Sequence, residues 1–168
     1  LKILDSGIFG RGIGFTAFTT TGGRELYTTT GAVGNFDLVD QIEAGSGSSS
    51  PHEFHYTGLA TIFSAQTAAA GFEPWMIIDV AGSYITTSLG NLNPGAAHSL
   101  PKEFTPAAGA TFFTADDGAS GRELWTTGGS PSSSNVRILN GIARKAPATF
   151  PRWTKTLPRK RESFWTLK

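Results

Sequence analysis

The hydrophobic residues of this chain occur in short segments in which apolar and polar positions alternate, a pattern typical of β-strands. Residues 111–115 (Thr-Phe-Phe-Thr-Ala) and 123–125 (Glu-Leu-Trp) are examples, and both are rich in β-branched or aromatic residues. The 3.6-residue period of an amphipathic helix is not evident along the sequence. The pattern therefore predicts an all-β fold.

A constant spacing joins these segments in pairs. At three places a Phe-Thr-Ala or Phe-Ser-Ala segment begins eight residues before a glycine, while the residues in between vary. A fixed length with a drifting sequence is expected where the two flanking strands pair as a hairpin. The three predicted hairpins begin at Phe15, Phe63 and Phe113.

The second strand of each predicted hairpin carries a repeated motif. Residues 23–29 read Gly-Arg-Glu-Leu-Tyr-Thr-Thr, residues 121–127 read Gly-Arg-Glu-Leu-Trp-Thr-Thr, and residues 71–75 (Gly-Phe-Glu-Pro-Trp) are a degraded copy. The glutamates are 48 and then 50 residues apart, which is the length of one four-stranded propeller blade. We predict tandem four-stranded, blade-like repeats in a β-propeller-like arrangement over residues 1–142, with three full repeats and a partial one.

The same alignment predicts where each repeat begins and ends. The first full repeat is expected to run from about residue 14 to residue 59, with residues 44–50 as an inter-strand loop and residues 51–54 as its closing segment. Residues 1–14 then end a preceding partial repeat, and they occupy the place that residues 36–40 have in the next one.

The motifs resemble the ELWxxDGT repeats of large secreted or surface bacterial proteins, for which propeller-like blades are expected. The resemblance covers about residues 1–142 and implies an extracellular or cell-surface structural role. The Asp-Gly-Thr half of the family motif is missing from every copy, so no function of that aspartate is carried over. The resemblance rests on Phe113-Thr114-Ala115, Asp116-Asp117-Gly118, Gly121–Trp125 and Leu38–Ile42.

The composition narrows the classes of site that the chain can hold. It has no cysteine, which excludes a disulfide scaffold, a thiolate zinc site and an iron–sulfur cluster. No apolar run approaches the roughly 20 residues of a transmembrane helix. Neither a nucleophile elbow nor a phosphate-binding loop is present. We predict no catalytic residue, no cofactor and no metal.

The repeated motif also supplies the candidate binding residues. Arginine and glutamate side chains could line a face that binds a glycan, and the aromatic residues could stack on a sugar ring. Alternatively, the aromatic residues pack between sheets and the charged ones form cross-strand or inter-blade pairs. Recurrence in every unit favours the structural interpretation, because a binding site needs only one distinctive place. The candidates are Arg24, Glu25, Tyr27, Trp75, Arg122, Glu123 and Trp125.

Residues 116–118 (Asp-Asp-Gly) could belong to a calcium loop, but the matching loops of the other units lack carboxylates, so a simple turn is favoured. The histidines, His52, His55 and His98, are interpreted as solvated loop residues.

The last segment, residues 143–168, differs in charge from the rest of the chain. It holds eight Lys or Arg residues and one acid, whereas residues 1–142 hold six basic and twelve acidic residues. We predict that this segment is a basic tail. It could bind a glycan or another acidic polymer. The favoured alternative is that it docks on the acidic body of its own or a neighbouring subunit. The residues concerned are Arg152, Trp153, Lys155, Arg159, Lys160 and Arg161.

Three repeats and a fraction are too few for a closed propeller of about four to eight blades. An open stack would expose strand edges, which proteins avoid. We therefore expect other protein chains to complete the blades or pair with their edges. The predicted function is a non-enzymatic extracellular structural or adhesion module in a larger assembly, and the alternative is a carbohydrate-binding module.

Overall fold

The computed structural model describes residues 2–3, 12–128 and 137–138, and this part of the chain folds entirely into strands, turns and loops. The described residues contain twelve strands and no helix, so the prediction of an all-β fold is confirmed. No segment among them has the length and hydropathy of a membrane-spanning helix.

The strands form three antiparallel four-stranded sheets, and in each sheet the spatial order follows the chain. The first sheet comprises β1 (Lys2–Ile3), β2 (Ile13–Thr19), β3 (Gly23–Thr29) and β4 (Asp37–Asp40). The second comprises β5 (His52–Tyr56), β6 (Thr61–Thr67), β7 (Gly71–Val80) and β8 (Ser83–Ser88). The third comprises β9 (Lys102–Ala107), β10 (Ala110–Asp116), β11 (Arg122–Thr127) and β12 (Arg137–Ile138).

The three predicted hairpins are the central strand pairs of these sheets. Strand β2 pairs with β3, β6 with β7 and β10 with β11, all in the same register. The opening phenylalanine of each hairpin lies opposite the aromatic residue of the repeated motif, as Phe63 does with Trp75 and Phe113 with Trp125. The hairpin prediction is confirmed.

The structure differs from the prediction in where a unit begins. The segment that follows Pro51 is β5, the first strand of the second sheet, and not the end of the first. It turns back through a loop closed by a 2.8 Å hydrogen bond from the Thr57 N–H to the Ala60 carbonyl, with Gly58 at a φ of 95°. The turn forces the segment to pair with the strand that follows it. Lys2–Ile3 likewise pairs with the strand that follows it, β2, and so begins the first sheet. The prediction that this segment ends a preceding partial repeat was wrong.

Residues 41–51, which include the predicted inter-strand loop, therefore connect one sheet to the next. Residues 89–101 have the same position between the second and third sheets. We call these two segments the connectors.

The apolar core lies between successive sheets. On one face of the second sheet, Phe63 and Ile77 are fully buried against Leu26 of the first sheet. On the other face, Ile62 and Met76 pack with Phe104 of the third sheet. The second sheet is thus covered on both sides, and the three sheets stack in chain order. The described residues form no closed barrel or propeller.

Candidate functional site: buried glutamates at the sheet junctions

The glutamate of the repeated motif is the third residue of β3 and of β7, and in both strands it is buried. Glu25 is 0% exposed and Glu73 is 1% exposed. An ionisable group is rarely buried to this extent unless other groups compensate for the loss of water. The partners of these two side chains therefore decide what the motif does.

Glu25 binds the first connector. The N–H groups of Ile42 and Ser49 donate to its two carboxylate oxygens over 3.3 and 3.0 Å, and the Ser49 hydroxyl donates as well. Ser49 is itself fully buried. The carboxylate of the first sheet therefore holds both ends of the segment that leads to the second sheet. We call Glu25, Ile42 and Ser49 the first junction.

Glu73 binds the second connector in the same way. It accepts hydrogen bonds from the N–H groups of Leu92 (2.8 Å), Asn93 (3.4 Å) and Ser99 (3.2 Å). The Ser99 hydroxyl donates to Oε2 over 2.7 Å. These four residues form the second junction, so the arrangement recurs although the two connectors differ in sequence.

The main chain at the serine of each junction, together with the residue after it, also joins the two neighbouring sheets. At the first junction, the Ser50 N–H donates to the Arg24 carbonyl of β3 (3.1 Å), and the Gln66 N–H of β6 donates to the Ser49 carbonyl (2.9 Å). The glutamate thus fixes a segment that is hydrogen-bonded to both sheets. The second junction repeats these bonds, from Ser99 and Leu100 to the Phe72 carbonyl (3.0 and 3.2 Å) and from Asp116 to the Ser99 carbonyl (2.8 Å).

Burial raises the pKa of Glu25 and of Glu73 above the ordinary value of 4.5. The hydrogen bonds donated to each carboxylate act in the opposite direction, since they stabilise the charged form. The cost of removing the carboxylates from water is therefore the larger effect, and the protonated form is favoured more than it would be in an unfolded chain.

The glycine two residues before each of these glutamates makes room for the connector. A Cβ at Gly23 would lie 1.6 Å from the Gly47 carbonyl oxygen, and one at Gly71 would lie 2.2 Å from the Ala97 carbonyl oxygen. Both glycines also have a φ of 67°, which L side chains rarely adopt. The glycine and glutamate of the motif therefore serve the same contact.

The arginines of the motif do not hold these glutamates. At Arg24 it is the main-chain N–H that makes a contact, donating to the Ser48 hydroxyl oxygen over 2.9 Å. Arg122 is exposed, and its guanidinium donates to the Thr114 hydroxyl and the Leu100 carbonyl, both over 3.0 Å. We expected the arginine and glutamate side chains of the motif to form charged pairs. At the two buried glutamates, the hydrogen-bond donors are instead serine hydroxyls and main-chain N–H groups.

Of the aromatic residues of the motif, Tyr27 and Trp125 are buried and Trp75 is half-buried. Trp125 is 8% exposed, packs against Phe113 and donates its indole N–H to the Ala115 carbonyl over 3.1 Å. Trp75 packs against the core between the first and second sheets. Tyr27 is also 8% exposed, and its ring stacks on a neighbouring phenylalanine. These positions favour packing over sugar stacking.

Comparison of the chain with protein-family models, curated proteins and solved structures finds no match. The resemblance to ELWxxDGT repeats stays a prediction, and the geometry of the junctions carries the functional argument.

The remaining predicted residues divide into two groups. Residues 116–118 comprise the last residue of β10 and the start of the turn after it, in which the Asp117 carboxylate accepts from the N–H groups of Ala119 (2.9 Å) and Ser120 (2.6 Å). These donors, Ser120 first, hold the pKa of Asp117 below its ordinary value. No cluster of three or more potential metal ligands occurs within the described residues. The predicted docking residues of the tail, Arg152, Trp153, Lys155, Arg159, Lys160 and Arg161, lie outside the described residues.

Ser49 and Ser99 are the functional partners that the sequence did not reveal. Each lies two residues before a proline, and those prolines, Pro51 and Pro101, are 50 residues apart. The recurrence of Ser-x-Pro at the repeat length is the signal that could have identified them.

Proposed function

We propose that the chain is a non-enzymatic structural module of an extracellular or cell-surface assembly, in which four-stranded sheets stack as the blades of a propeller-like array. Other chains supply the sheets that continue this stack. Adhesion to other surfaces would then be a property of the assembled sheets and not of a pocket formed by the repeated motif.

The observation that carries this proposal is that the junction carboxylates are fully used inside the protein. Glu73 receives four hydrogen bonds from the second connector and is 1% exposed, so a ligand can reach neither of its oxygens. The glutamate of the repeated motif therefore holds one sheet to the next at both junctions. This is the function expected of a repeat whose units are each too small to bury their own apolar faces.

A second observation supports association with further sheets. The first sheet turns one face toward the second sheet, and no other described sheet covers its opposite face. On that opposite face Leu38 pairs with Tyr27, and Ile13 begins the strand that carries Phe15. Leu38 is 45% and Ile13 is 41% exposed, which favours contact with another apolar surface.

The oligomeric mass of the full chain tests the proposal. One chain has a mass of 17.7 kDa, and sedimentation equilibrium should yield a multiple of that value. Leu38→Glu should lower the mass toward that of one chain, because a buried charge opposes the contact. Val33→Glu is the matched control, since Val33 is fully exposed in a loop. A single-chain mass for the unsubstituted protein at every concentration would refute the proposed assembly.

A further inference from the structure

The contact between successive sheets joins two different faces, which we call the back of one sheet and the front of the next. Leu26 lies on the back of the first sheet and packs against Phe63 and Ile77 on the front of the second. In the same way, Ile62 on the back of the second sheet packs with Phe104 of the third. Both contacts inside the chain therefore join a back to a front.

The back of the third sheet is not covered by any described sheet. Leu124 lies between Glu123 and Trp125 in β11, and Trp125 packs on the side of the second sheet with Phe104. Successive residues of a strand point to opposite faces, so Leu124 lies on the back. It occupies the leucine position of the motif and is 37% exposed, whereas the leucine of the first sheet is 0% exposed. Phe112 shares this face and is only partly buried.

The front of the first sheet is also not covered by any described sheet. Phe15 lies opposite Tyr27 in the β2–β3 pair, in the register that the front of the second sheet has at Phe63. The two rings stack with their centroids 5.9 Å apart. Leu38 lies opposite Tyr27 as well and is 45% exposed. This face therefore repeats the aromatic part of the front on which the leucine of the preceding sheet is buried.

We propose that the back of the third sheet docks on the front of the first sheet of a second copy of this chain, with Leu124 against Phe15 and Tyr27. The contact between copies then repeats the contact that each copy makes between its own sheets. The chain itself carries the front that this back requires, in the same register. Two copies supply six sheets, which is within the range of about four to eight blades in a closed propeller. This inference rests on the proposed assembly and names its partner.

The two surfaces of this contact are different, so the association is head-to-tail. In a symmetric pair, each copy would use the same patch, and one substitution would damage both sides of the contact. In a head-to-tail pair, a copy that is damaged at one surface keeps the other surface intact. Two differently damaged copies can therefore still associate through one contact.

Sedimentation equilibrium of two variants of the full chain, alone and mixed, tests the proposal. Leu124→Glu damages the back of the third sheet, and Leu38→Glu damages the front of the first. Each variant alone should associate roughly 100-fold more weakly or less, because the contact would bury an unpaired carboxylate. The equimolar mixture should recover twice the 17.7 kDa of one chain. Val80→Glu is the matched control and should not lower the mass, since Val80 is 49% exposed at the end of β7 in the second sheet.

A milder variant separates loss of contact from loss of folding. Leu124→Ala removes apolar contact area without introducing a charge and should weaken association about 10-fold. Tryptophan fluorescence shows whether each variant keeps its fold, since Trp125 is 8% exposed and responds to unfolding.

Two results would overturn this proposal and leave the proposed assembly in place. If Leu38→Glu lowers the mass and neither substitution of Leu124 weakens association, the first sheet meets a different surface. If both glutamate variants are folded and lower the mass but their mixture does not recover it, the two surfaces do not meet each other. A single-chain mass for the unsubstituted protein would instead overturn the proposed assembly together with this contact.

Discussion

The second junction allows the contribution of the repeated glutamate to be measured. Glu73→Ala removes the common acceptor of four donors, which are the N–H groups of Leu92, Asn93 and Ser99 and the Ser99 hydroxyl. Each buried donor left without an acceptor costs about 1–3 kcal/mol, and water entering the space offsets part of that cost. We expect the free energy of unfolding to fall by about 3–5 kcal/mol, a large share of the 5–15 kcal/mol typical of a domain.

Glu73→Gln separates the charge from the hydrogen bonds. The amide keeps one acceptor oxygen and nearly the same shape, and it does not carry the cost of burying a charge. Its NH₂ group, however, must face donors that previously met a carboxylate oxygen. We expect a smaller loss than for alanine, about 1–2 kcal/mol.

The pH dependence of stability provides a second measurement on the same variants. Because the pKa of Glu73 is raised above 4.5 in the folded state, the folded protein binds a proton more readily than the unfolded chain. Stability contributed by this group is therefore fully present below 4.5 and is lost as the pH rises through the folded-state pKa. Glu73→Gln should remove that part of the pH dependence and leave the part due to Glu25, whose pKa is also raised.

Urea denaturation followed by tryptophan fluorescence, at neutral and at mildly acid pH, measures both effects. Glu43→Ala is the control, since Glu43 accepts a single hydrogen bond, from the Ala68 N–H over 2.7 Å. It should cost less than about 1 kcal/mol. If Glu73→Ala costs no more than this control, the carboxylate does not hold the connector and the structural interpretation of the motif fails.

Two further predictions concern the other residues of the motif. Gly71→Ala should lower the free energy of unfolding by at least about 2 kcal/mol more than Gly31→Ala, because both glycines have a positive φ but only Gly71 faces a connector carbonyl. Thermal unfolding of the two variants measures this difference. Equal losses would contradict the close contact at Gly71. Trp125→Ala should cost about 3–5 kcal/mol because the ring is buried. A variant that keeps its stability but loses retention on glycans would instead make Trp125 a binding residue.

The strands and their pairing could be predicted because they depend on local patterns. Alternating residues and a fixed interval between the opening phenylalanine and the glycine specify a hairpin, and the structure places Phe63 opposite Trp75 accordingly. The start of each unit was not predictable in the same way. The segment after Pro51 can pair with the strand before it or after it, and the turn at Thr57–Ala60 decides between them.

The candidate site was predictable only in part. Recurrence of the glutamate indicated a structural function, but its partner Ser49 is one of four serines within residues 46–50. The composition of that segment is typical of a flexible linker, and no local pattern distinguishes Ser49 from its neighbours. The choice is made by a contact across 24 positions of the sequence, from Ser49 back to Glu25.

The chemistry of the junctions explains why the connectors differ in sequence while the glutamate recurs. A connector leaves the last strand of one sheet and must turn before it reaches the next, so several of its N–H groups lack a strand partner. At the second junction, three of the four donors to Glu73 are main-chain N–H groups, which any residue except proline can supply. The glutamate therefore specifies the path of the connector but not its side chains. The hydroxyl is the exception, since it must come from one residue at one place. That requirement makes Ser49 and Ser99 the connector residues to test first.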